Sequence, residues 1–281
     1  KNWFKNLKTL VPTYRYLNND GIRKTFQIMK NFYPKSKLIK FNNRETSGYW
    51  TIPLSWDVKK GELFDPKGKK IIDYFKNPLQ LFSNSRSFEG QISKKELLKH
   101  IFSDEKRPSL IPFHFSNQFR ENVKEWGFCL PHKKVKKLKK GKYKVKIKTV
   151  TKRKDMHSLL YKHKGTKTDT LLFVSHFDHP FQVNDGISGS VATFELIKSL
   201  SNIKTKISYA ALATPEIIGS IFFAKKYAKE NNIKHGLMCS FCGVNSNFEY
   251  SKTSVENTFI DKALEHIFRF KKKSPKINNF R

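Results

Sequence analysis

No stretch of this sequence approaches the run of about 18 apolar residues that a membrane-crossing helix needs, so no membrane span is expected. The opening, KNWFKNLKTLVPTYRYL, also lacks the uninterrupted apolar segment and small-residue cleavage site of a secretory signal. Cysteine is scarce: Cys129, Cys239 and Cys242 cannot build a disulfide framework, which fits a reducing compartment and a cytoplasmic setting. Cys239-Ser-Phe-Cys242 is a lone CxxC without the second pair of a zinc ribbon, and its place in the apolar run LMCSFCG reads as buried strand. There is no initiator Met, and the chain stops on INNFR, so a fragment truncated at its C-terminus is expected. No internal repeat, zinc finger, RNP-type aromatic motif or helix-turn-helix signature is evident.

Acidic residues are few as well, 23 against 56 basic, leaving a net charge of +33. Such a field draws polyanions without selecting among them. Lys, Asn, Phe and Ile are abundant along the whole chain, a bias that needs no selected partner. The charge therefore implies nonspecific polyanion binding and does not define a function. An apolar fraction of 38% with 25 Phe excludes a disordered chain.

Residues 1–40 read as helical. Trp3, Phe4, Leu7 and Leu10 share one face, Pro12 interrupts, and Ile22, Phe26 and Met29 resume the period, with Asp20 as the expected N-cap and Tyr33-Pro34 ending the second helix. From about Gly48 the texture becomes β-rich. Asp65-Pro66-Lys67-Gly68 predicts a hairpin turn between Glu62-Leu63-Phe64 and Ile71–Phe75, Leu79–Phe88 is further strand material, and Ser93 with Glu96 makes a capping box. Lys133–Lys154 is the densest basic stretch, and its alternation at 143–148 predicts a strand with one solvated lysine face.

The chemistry concentrates at 170–189, TLLFVSHFDHPFQVNDGISG. Leu171–Val174 is a short buried strand. His176, Asp178 and His179 follow it, then Asn184-Asp185-Gly186, and Ser188-Gly189 opens a helix with Val191, Phe194 and Ile197 on one face. Two imidazoles and two carboxylates at a strand end suit a zinc ion, and that end of an α/β sheet is where ligands bind. A single His there would more simply be polar punctuation. Lys206–Ala213 is a second buried strand ending in Thr214-Pro215-Glu216, followed by a helix over 217–231, a third buried strand over 236–241 and a last helix over 255–270. Strand-helix alternation predicts an α/β fold with a mostly parallel sheet flanked by helices.

His176-Phe-Asp178-His179-Pro180 followed by Asn184-Asp185-Gly-Ile-Ser188-Gly189 resembles the metal-binding strand-loop-helix of the zinc aminopeptidase superfamily that includes leucyl aminopeptidases and glutaminyl cyclases. A bacterial branch of aminopeptidase-like proteins is more similar still, and the likeness runs over most of the chain. The resemblance implies a three-layer core with an inserted β module: residues 1–45 as N-terminal helices, 46–131 as the module and 132–281 as the α/β core. It implies a zinc-dependent hydrolase of peptide or amide bonds acting on a peptide or small amide, with one or two zinc ions. His176, His179, Asp185 and Glu216 are the implied metal ligands, Glu216 is also the implied general base, and Asp178 would orient the His176 imidazole. The residues leave open which histidine is the true ligand. The superfamily has a carboxylate pair where this chain has Glu216-Ile217, and no acidic ligand follows the third strand, at Cys242–Asn245. A catalytically lapsed, cationic binding protein on the same fold is the alternative.

Overall fold

The computed structural model describes residues 2–121 and 124–279. Helix α1 (Asn2–Leu10) stops just before Pro12, and helix α2 (Asp20–Phe32) begins where the Asn19 side chain accepts the Ile22 amide at 2.8 Å. Asn19 is therefore the N-cap in place of Asp20, whose carboxylate instead pairs with Arg23 and Lys154. Helix α2 ends at Phe32 with Tyr33 as its cap, as Tyr33-Pro34 predicts, while the helical texture read over residues 1–40 overruns into a strand. Strand β1 (Lys37–Phe41) runs antiparallel to a later core strand, and this pairing satisfies a backbone that Pro34 has already turned out of the helix.

The inserted module follows. Strands β2 (Ser55–Phe64) and β3 (Lys70–Asp73) form the expected hairpin, with Gly68 at φ +80° in its turn. The 79–88 stretch is not a strand: Pro78–Gln80 makes one tight helical turn capped by Asn77, and β4 spans Phe88–Ser93. Ser93 then caps helix α3 (Lys94–Lys99) by accepting the Glu96 amide at 3.2 Å. Strand β5 (Lys142–Lys152) pairs with both β2 and β4, so the module's sheet, in the order β3-β2-β5-β4, reaches residue 152 rather than ending at 131. Along β5, Tyr143, Val145 and Ile147 point into a core with Trp56, Leu63, Tyr74, Trp126 and Phe128, while Lys142, Lys144 and Lys148 face solvent.

The core resumes with β6 (Met156–His163), β7 (Thr170–His176), α4 (Gly189–Ser199), β8 (Ser208–Thr214), α5 (Ile218–Tyr227), β9 (Ile233–Met238) and α6 (Phe259–Phe270). Its sheet order is β1-β6-β8-β7-β9, and four of the five strands run one way, with β6 against them. Period-two alternation sends Leu159, Tyr161, Ala211 and Ala213 toward α1, α2 and α4, where Phe26, Phe177 and Phe194 pack. Leu160, Ala210 and Leu212 face the other way, onto Phe222 and Phe223 of α5. This is a helix-flanked α/β sheet, as the alternation predicts.

Three elements differ from the sequence reading. Helix α5 starts at Ile218 because Ile217 holds φ +58°, outside the helical region. Helix α6 starts later than 255 because Thr258 and Asp261 form a reciprocal capping box. Strand β9 is not buried: it lies at the sheet edge, and only alternate residues are half-covered, among them His235, which stacks on Phe259 of α6 at 4.7 Å.

Candidate metal centre

Strands β7 and β8 are parallel neighbours, in register so that His176 lies opposite Thr214. Both carboxyl ends therefore open on one edge of the sheet. The ladder continues one step further, with the Phe177 amide donating to the Thr214 carbonyl at 2.9 Å, and this brings the 177–185 loop over the start of the segment carrying Glu216.

His176, at the strand end, turns Nε2 onto Asp185 Oδ1. His179 Nδ1 lies 3.2 Å from Asp185 Oδ2 and 3.1 Å from the Asp185 carbonyl, and its Nε2 lies 3.2 Å from Glu216 Oε2. Asp185 can reach both rings because the chain doubles back after Pro180. Gly186 beneath it must lack a side chain, since a Cβ there would overlap the His176 ring and carbonyl. The ligand atoms of His176, His179 and Asp185 lie within 4.8 Å of one another, and those of Asp178, His179 and Glu216 form a second such group. Among the described residues the loop after β9 joins neither group; its backbone supports the site instead, Phe241 donating to the Asn184 carbonyl and Cys242 to Ser188 Oγ.

The charges lean on one another. Burial opposes the imidazolium of His179, yet Asp178, Asp185 and Glu216 raise its pKa to about 10. Burial also opposes the Asp185 carboxylate, but hydrogen bonds from His176 and His179 outweigh it and hold the group well below the usual carboxylate range. The His179 hydrogen bond likewise lowers Glu216, so Glu216 is ionised at neutral pH. Asp178 goes the other way, raised by its burial.

Asp178 does not orient His176. Its two oxygens are taken by the Glu216 backbone N–H and by Gln118 Nε2, each at 2.8 Å, while His176 Nδ1 is buried without a partner among the described residues. Asp178 instead fixes the backbone that presents Glu216. Sequence reasoning missed three residues. Gln118 and Phe113 come from the module: the first reaches Asp178, and the second packs its ring 5.5 Å from that of His179. Arg15, fully buried, grips the Phe177 and His179 carbonyls from behind. Nothing local marks Gln118 or Phe113 as functional, and an Arg between tyrosines near the start looks like any surface cation.

The donor set fits zinc. Two imidazole nitrogens and one carboxylate match the three protein ligands of a catalytic zinc site, which leaves a position for water.

A family model for a domain of unknown function, DUF2172, matches residues 55–150, in close agreement with the module's sheet. A curated protein of Clostridium acetobutylicum, named for polysaccharide biosynthesis with an aminopeptidase-like domain, is 29% identical over 262 residues, which cover 93% of this chain and 59% of that protein. The crystal structure of a candidate peptidase from C. acetobutylicum superposes with a TM-score of 0.91 at 26% identity, over 100% of this chain and 65% of that one. A zinc aminopeptidase from Bacillus subtilis superposes with a TM-score of 0.68 at 13% identity, over 99% of this chain and 79% of that one. The chain thus spans less than two thirds of the two clostridial proteins. It has the aminopeptidase-like fold they share, and the resemblance carried by its strand-loop-helix motif extends over the described chain.

Proposed function

We propose that this chain is a zinc-dependent hydrolase of peptide or amide bonds, with His176, His179 and Asp185 holding one ion and Glu216 acting as general base. One observation carries the reading: three zinc-type donors and an ionised glutamate converge at the adjacent carboxyl ends of two parallel strands. Zinc, when bound, lowers the pKa of water and polarises a carbonyl. Glu216, kept ionised by its His179 contact, can take a proton from water and return it to the leaving amine. Asp178 holds the Glu216 backbone, and Gln118 holds Asp178, so the base is positioned through two hydrogen bonds. Phe113, packed on His179, closes off one side of that ring.

The donors support one ion better than two. Ile217 occupies the place of a second carboxylate, and the segment after β9 adds no imidazole or carboxylate among the described residues. The substrate we assign is a small peptide or amide. We assign the chain a cytoplasmic setting, because three cysteines build no disulfide framework. No helix among the described residues is long and apolar enough to cross a membrane.

Zinc measured by mass spectrometry on purified protein tests the reading. Wild type should carry close to one equivalent, and His179→Ala and Asp185→Ala should carry none. With that result, aminoacyl amides are the first substrates to screen. A folded wild type that takes up no zinc after reconstitution would sink the assignment. The single carboxylate at the β8 end, set against a charge of +33, favours a second reading, a lapsed enzyme that binds polyanions. Salt-sensitive retention on heparin together with absent hydrolysis would support it.

A further inference from the structure

Arg15 stands out among the buried groups that this chemistry leaves unused. It is 0% exposed, and no carboxylate reaches its guanidinium within hydrogen-bond distance among the described residues. Its donors go to backbone and hydroxyl oxygens from two separate segments. Nη1 donates to the Leu10 carbonyl at 2.5 Å and to the Thr13 hydroxyl, at the turn that ends α1. Nε donates to the Phe177 carbonyl at 3.0 Å and Nη2 to the His179 carbonyl at 2.5 Å. The two gripped carbonyls bracket Asp178, and the gripped residues are the neighbour of His176 and His179 itself.

A buried cation without an ionic partner is a poor way to gain stability, since apolar groups of similar volume usually serve as well or better. Its geometry suits another purpose. Only a planar fork with five donors can span carbonyls two residues apart and still hold a second segment. The fork also sets a positive charge behind Asp178, a carboxylate only 1% exposed whose direct partners, the Gln118 amide and the Glu216 N–H, are neutral.

We propose that Arg15 is the positioning residue of the metal-ligand loop: it locks the Phe177 and His179 carbonyls so that His176 and His179 present their nitrogens to one point, and it stands behind the carboxylate that holds Glu216. The proposal deepens the zinc-hydrolase reading and rests on it. A Lys at this position keeps the charge but, with all its donors on one nitrogen, cannot hold both carbonyls and the α1 turn together, so charge and clamp can be separated.

The test compares wild type with Arg15→Lys in two measurements. Zinc affinity, by competition with a chelator, should weaken about 10- to 100-fold, the usual effect of losing a group that orients a metal ligand. Backbone hydrogen exchange on the metal-free proteins should speed up at residues 177–179 by about 10-fold or more, with β6 and β8 unchanged. Wild-type zinc affinity in a folded Arg15→Lys overturns the proposal, as does exchange that rises evenly across the sheet, which would mark Arg15 as a general structural residue. If Arg15→Lys does not fold, the Arg15 Nε–H resonance of wild type decides: it should be protected from exchange and shift on zinc addition, and an unprotected, unmoved signal overturns the clamp. If wild type binds no zinc, the metal reading fails by itself, and the exchange data still decide the clamp, with unchanged protection at 177–179 counting against it.

Discussion

Past the end of β7, His176, Asp178, His179 and Asp185 fall within ten residues, and the first three are almost wholly buried. Past the end of β9, on the other side of the same sheet edge, residues 239–248 carry no imidazole or carboxylate, and Phe241, Val244 and Phe248 leave more than half of each residue in solvent. The two loops still touch, since the second supports the backbone of the first through the Asn184 carbonyl and the Ser188 hydroxyl. The contrast teaches that the site is built from one side. Among the described residues the candidate ligands and their electrostatic coupling lie at β7 and β8, and the β9 side contributes backbone support.

The sharpest way to break this comparison is at Glu216. If the base is on the β8 side alone, Glu216→Gln should lower kcat/KM on a responsive amide by about 10²- to 10⁴-fold and leave zinc content unchanged. A variant that keeps most of its activity would mean that another group takes the proton. One step outward, Gln118→Leu removes the amide from Asp178 and strands that buried carboxylate oxygen. Zinc affinity should fall about 10- to 100-fold, and calorimetry on the reconstituted protein would detect it; an unchanged affinity would place the module outside the site.

The charge coupling gives a gentler effect with a definite sign. His179 has its pKa raised from 6.5 to about 10 in the folded, metal-free chain, so its contribution to stability is complete below pH 6.5 and disappears as pH rises toward 10. Asp185 is depressed, so its contribution is present above pH 3.8 and disappears as pH falls. In chelator, Tm should therefore decline between pH 6.5 and 10, and His179→Asn should decline less over that window. Parallel curves for the two proteins would remove His179 from the coupling. The smallest effect belongs to the far loop. Val244→Thr, at a position 53% exposed, should change stability by less than about 0.5 kcal/mol in urea melts. A loss of about 2 kcal/mol or more would mean that this side is covered and packed like the β7 side.

Much of the site could be read from the residues because it is local. A buried strand, a turn with paired imidazoles and a glycine-punctuated helix start are all contiguous, and Glu216 ends the next buried strand in the same way. The edges of the fold were harder. Lys37–Phe41 is too short, and too broken by lysine, to signal a strand without its partner Met156–His163. Met238 and Phe241 look like core residues until the sheet order leaves β9 with a single neighbour. The 142–152 strand joins the module through pairings to residues 80 or more positions earlier at Ser55–Phe64, which no local pattern encodes. Gln118 and Arg15 were hidden for the same reason, since each acts on Asp178 or its flanking carbonyls across 60 residues or more.

The Gln118 contact bears on how such a protein can be taken apart. An α/β core cut free of the module would keep all four donors and their strands, and by inspection it would look like a complete catalyst. It would lack the Gln118 amide that reaches Asp178 from a loop of the module, and the ring of Phe113 against His179. Insert and core are therefore not interchangeable parts. Grafting the module onto another core, or trimming it away, would alter the hydrogen bonding of a buried carboxylate that belongs to none of the module's strands or turns.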